Sequence, residues 1–106
     1  YVKFKTIGMA NLRSIKKDID YLVNEVVYDC YLALYFHRDK SEEIIGVMQD
    51  AVEMRNELFK MVNNPAEKKN ASLVKKHYAF IRTEMITRVE GLFHKLSKAV
   101  NSGNAA

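Results

Sequence analysis

The sequence predicts an all-α fold, an antiparallel up-down-up bundle of three long helices over about residues 11–38, 41–63 and 72–100. Three observations carry that expectation. Apolar residues recur at spacings of three and four through each segment, which is the period of an amphipathic helix. The segments are separated by short polar breaks, HRDKSEE and NNPAE, and short connections between long helices make successive helices antiparallel. Finally, the stretch from Asp18 to Arg38 is so apolar in its downstream half that its helix calls for cover from several sides. At 106 residues the chain suits one domain, able to bury ~65% of its unfolded surface.

The first helix follows from Leu12, Ile15, Ile19, Leu22, Val26, Cys30, Ala33 and His37, with Val23, Val27 and Leu34 in a second row. Asn11 is placed to cap its N-terminus. Its three valines lower helix propensity by a few tenths of a kcal/mol each, which burial outweighs. The second helix starts either from Asp39 with Glu42 as a capping box or from Ser41 with Glu42 and Glu43 in its first turn. Its expected stripe is Ile44, Ile45, Met48, Ala51, Val52, Leu58, Phe59 and Val62, with Arg55 inside it. Asn64 as cap and Pro65 at the first helical position suggest a short turn over 65–69. The third helix carries Val74, Tyr78, Ile81, Met85, Arg88, Leu92 and Leu96, and Gly91 costs it ~1 kcal/mol relative to alanine. Residues 1–8 alternate apolar and polar and suggest a short extended arm; residues 101–106 read as a frayed tail. The bundle domain is thus 9–100.

The segments MANLRSIKKDIDYLVNEVVYDCYLALYFH, AVEMRNELFKMVNNPAEKKN and SLVKKHYAFIRTEM resemble a family of small, uncharacterised all-helical proteins from Bacteroidetes-type bacteria. The similarity spans Met9 to about Val100. It implies a bacterial helical protein, and it lends no catalytic residue and no ligand.

Composition narrows the function classes. A single cysteine, Cys30, forms no internal disulfide and fits a reducing compartment. No run of about 18 apolar residues suggests a membrane span, and the first ten residues lack the apolar core of a signal peptide. The expectation is a cytoplasmic protein. The net charge of +4 raises nucleic acid as a partner, but its distribution favours a different reading. Residues 41–63 hold Glu42, Glu43, Asp50, Glu53 and Glu57 against Arg55 and Lys60, whereas residues 64–106 are strongly basic. An acidic helix beside a basic one is what attraction between neighbours in a bundle requires.

Four constellations bear on chemistry. Glu25, Asp29, Arg55 and Arg88 fall in or beside the apolar stripes and suggest a buried ion-pair cluster that fixes helix register; the alternative is an anion site built from the two arginines. Lys68, Lys75 and Arg82 repeat every seven residues beside Lys69 and Lys76, a ridge suited to nonspecific phosphate contact but without base-reading signatures. For metals, His37, His77, His94, Cys30, Asp29, Glu84 and Glu90 never assemble into Glu-x-x-His pairs, HExxH or CxxC, so no metal or other cofactor is expected. His94 only faintly suggests a phosphorelay histidine. No nucleophile elbow or phosphate-cradling glycine loop is present, and Cys30 sits in an apolar helix where a thiol is inert.

The basic ridge is the best functional signal among these, and the aromatic residues add a further one. Tyr21, Tyr28, Tyr31, Tyr35 and Phe36 on one helix exceed what a three-helix core hides, and an uncovered apolar patch usually marks an interface. The sequence therefore points to a non-enzymatic interaction or assembly module, self-associating as a homodimer. The alternative is a nonspecific nucleic-acid-associated protein using the third helix.

Overall fold

The computed structural model of the chain describes residues 12–64 and 70–101. Three helices pack against one another: α1 (Leu12–Phe36), α2 (Ser41–Asn63) and α3 (Ala71–Asn101), with a 3₁₀ turn at Arg38–Lys40 between the first two. The described residues contain no strand. The expected arm at 1–8, the cap Asn11, the turn at 65–69 with Lys68 and Lys69, and the tail beyond Asn101 lie outside the described residues.

The α1–α2 connection is longer than the sequence suggests, residues 37–40 rather than 39–40. Helix α1 ends at Phe36 rather than Arg38; the amide of His37 still donates to the Ala33 carbonyl at 2.7 Å, and the amide of Lys40 donates to the His37 carbonyl at 3.0 Å. Helix α2 then begins at Ser41 with Lys40 as N-cap and no side-chain cap bond, so the Asp39–Glu42 capping box does not form. Glu42 and Glu43 occupy the first turn, where their charge favours the helix N-terminus.

These boundaries put the hairpin pivot between residues 38 and 39, and the core follows. Ile15 comes level with Val62, Ile19 with Leu58, Val23 with Met54, Val26 with Ala51 and Cys30 with Val47, and every one of these side chains is buried. Helix α3 completes the core with Tyr78, Ile81, Met85, Val89, Leu92, Leu96 and Ala99. It starts from a side-chain cap: the Asn70 Oδ1 accepts from the amides of Ser72 at 3.1 Å and Leu73 at 3.2 Å, satisfying two of the first-turn donors that a helix leaves free.

The expected stripe of α2 needs correction. Val47 and Met54 are buried, whereas Ile45 and Val52 are exposed and Met48 and Phe59 only half-buried. A helix in a three-helix bundle faces two neighbours, so its buried arc widens toward α3 and takes in residues 47 and 54. Similarly, Arg88 stands at the edge of the α3 stripe, and its neighbour Val89 takes the buried position.

Candidate functional site

The outer face of α1 concentrates exposed aromatic surface. Tyr21, Tyr28, Tyr31, Tyr35 and Phe36 are 60–71% exposed, with Leu32 beside them. The cause is helical geometry. Tyr28 lies two residues from both Val26 and Cys30, hence ~200° around the helix from each, so a register that buries those two turns Tyr28 outward. Tyr21 and Tyr35 lie seven residues either side of Tyr28 and fall on the same face, the spacing of a helix-packing seam. Tyr21 to Tyr35 covers ~21 Å of helix. At its C-terminal end the Tyr35 ring meets Phe36 edge-on, centroids 5.1 Å apart. All five residues singled out from the sequence as interface candidates are therefore on the surface.

The stripe continues sideways into a groove between the C-terminal halves of α1 and α3. Its volume is about 330 Å³, and Leu32, Ala33, Phe36, Phe93, Leu96 and Val100 supply the apolar lining. Asp29, His37 and Ser97 are its polar members. Helices α1 and α3 share the smallest of the three helix interfaces, which is why a groove opens between them.

The expected buried polar cluster is not assembled. Glu25 is exposed, and Asp29 is half-buried at the groove. Arg55 donates from Nε to Asp20 at 2.7 Å rather than to Glu25, and its guanidinium lies 4.2 Å from the centre of the Phe59 ring. The early end of α1 explains the change of partner: with the pivot between 38 and 39, residue 22 comes level with Arg55, and Asp20 is only two residues further on. Lys16 reaches the same ring at 6.0 Å. Arg88 bonds Glu57 at 2.6 Å and approaches Glu84 at 3.8 Å, so it meets neither Asp29 nor another arginine. These pairs are roughly half-exposed, where an ion pair contributes ~0–1 kcal/mol. Arg55 and Arg88 thus pair with different carboxylates, Asp20 for the first and Glu57 with Glu84 for the second.

The charge contrast between α2 and α3 has a direct structural counterpart. Lys95 bonds Asp50 at 2.8 Å, and Arg88 bonds Glu57. Residue number rises along one helix as it falls along the other, so α2 and α3 run in opposite directions. His77 adds a third tie, its Nε2 lying 2.6 Å from the Met61 carbonyl oxygen.

The basic ridge is smaller than its sequence spacing suggests. Lys75 and Lys76 are exposed, but Arg82 turns inward: its Nε and Nη2 atoms are buried without a hydrogen-bond partner. Position 82 lies on the flank of α3 that faces α1, where the Arg82 charge acts on buried Asp18. Sequence reasoning missed this pair, although an aspartate one residue before Ile19 already lay beside the apolar row. Burial pushes the Asp18 carboxyl above its ordinary value of 3.8, and the Arg82 guanidinium opposes that shift.

The remaining chemistry-bearing residues stay apart. Among the described residues no group of three or more His, Cys, Asp or Glu side chains is arranged to hold a metal ion. Cys30 is fully buried, and burial together with the neighbouring Asp29 carboxylate pushes its thiol up to about 11. At neutral pH it stays protonated, and the thiol is the unreactive form. No described helix is long and apolar enough to cross a membrane. No protein-family model, curated protein or solved structure matches the chain.

Proposed function

We propose that the protein is a non-enzymatic helical interaction module that self-associates as a homodimer through the outer face of α1. The carrying observation is the exposed stripe of Tyr21, Tyr28, Tyr31, Tyr35 and Phe36. A tyrosine or phenylalanine side chain presents ~150–250 Å², so five of them about 60% exposed leave ~600 Å² uncovered. A patch of that size sits at the top of the range for the largest apolar patch of a monomer. Aromatic residues are also the types enriched at interface cores. The same reading takes the resemblance to small bacterial helical proteins as real and places the protein in a bacterial cytoplasm, consistent with its single cysteine.

Light scattering over a range of protein concentrations tests the proposal. The expected mass is that of two chains, and Tyr28→Glu is expected to weaken association at least tenfold without loss of helix content. A wild-type mass of one chain at high concentration overturns it. The nucleic-acid reading keeps only Lys75 and Lys76 as exposed basic residues on the described part of the ridge. Its test is gel-shift titration with duplex DNA and RNA at low salt, where phosphate contacts are strongest.

A further inference from the structure

The stripe has a centre. Tyr21 and Tyr35 are equally distant in sequence from Tyr28, on one face of one continuous helix. Closed homodimers are built on a two-fold axis that maps a single patch onto itself. A helix face can satisfy that symmetry with the two helices parallel or antiparallel.

Resting on the homodimer reading, we infer that two copies join with their α1 helices antiparallel, the two-fold axis passing beside Tyr28. In that arrangement Tyr21 of one copy comes level with Tyr35 of the other and faces the mouth of the groove lined by Leu32, Phe36 and Phe93. Charge selects this direction. Lys17 is exposed and lies eleven residues before Tyr28, so in the antiparallel pair it reaches the C-terminal end of the second copy's α1 at Phe36, where the helix dipole favours a cation. A parallel arrangement instead sets Lys17 against Lys17, and like-charge juxtaposition opposes association. The helix dipoles add to the preference, because antiparallel helices bring opposite partial charges together.

The area also suffices. Two faces of ~600 Å² remove ~1,200 Å² from water, the lower end of the range for stable specific interfaces. Exposed Ile45 and Val52 on α2, beside the α1 face, extend the apolar surface.

Single cysteines with a short thiol-to-thiol cross-linker test the direction in the full chain; native Cys30 is fully buried and stays silent. Tyr28→Cys alone is expected to give a covalent dimer. Tyr21→Cys alone and Tyr35→Cys alone are expected to stay uncrosslinked, whereas a mixture of the two gives a mixed dimer identified by mass. Self-crosslinking of both Tyr21→Cys and Tyr35→Cys, with none in the mixture beyond that, overturns the inference in favour of parallel packing. A wild-type dimer by light scattering whose variants fail to cross-link in any combination overturns it by placing the interface elsewhere. A wild-type monomer defeats the homodimer reading itself, so the two failures are distinguishable. Circular dichroism of each variant confirms that the exposed substitutions leave the helices formed.

Discussion

Asp18 is 5% exposed, and one of its oxygens is buried without a hydrogen-bond partner. Burying a charge is costly unless it is paired and hydrogen-bonded. Arg82, across from it on α3, supplies charge but leaves two of its own nitrogens unpartnered. The sign of the consequence follows from the raised carboxyl. The folded state holds the Asp18 proton more tightly than the unfolded chain, so the ionised side chain opposes folding at neutral pH. That opposition is relieved as pH falls through the folded value toward 3.8. Asp18→Asn is therefore expected to stabilise the protein at pH 7 by on the order of 1 kcal/mol and to remove this part of the pH dependence. Denaturant unfolding at pH 7 and pH 4.5 measures both, and a variant whose advantage is equal at the two pH values contradicts the assignment.

At the scale of elements, the helices themselves were legible because their period is local. The start of α2 at Ser41 and the placement of all three helices could be read from apolar spacing and breaks. What could not be read was the phase of α2, since Ile44, Ala51, Leu58 and Val62 belong to two overlapping stripes. Which flank joins them, Ile45 and Val52 or Val47 and Met54, is decided by the neighbour packed there, and that is not a local property. The error over Arg55 had the same origin: two residues at the end of α1 shift every cross-helix partner. Asn70 was readable, a capping residue directly before a helical run, but Asn64 before Pro65 carries the same kind of start signal six residues earlier. Gly91 offers a check on α3. It lies exposed in the helix interior, and an added Cβ meets nothing within 4 Å. Gly91→Ala is expected to gain ~1 kcal/mol from backbone entropy, raising Tm by ~4 °C; a lowered Tm refutes the open environment assigned to residue 91.

The described bundle measures 55 × 25 × 20 Å, about two helix diameters across, so each of the three helices keeps a face toward solvent. On α2 and α3 that face is largely polar; on α1 it is aromatic. If a second copy covers it, folding and association are linked, and the melting temperature must rise with protein concentration. Scans over a hundredfold concentration range measure this, with Tyr28→Glu expected to give a flat response; a flat wild-type response counts against the dimer. The distribution of tyrosines has a practical side. The chain holds six tyrosines and no tryptophan; Tyr78 is buried in the core, Tyr1 lies outside the described residues, and the other four all stand on α1's outer face. The near-ultraviolet absorbance and emission of the unlabelled protein therefore come mainly from the surface in question. The molecule carries its own optical probe, and quenching by a small solute reads the occupancy of that face without a dye.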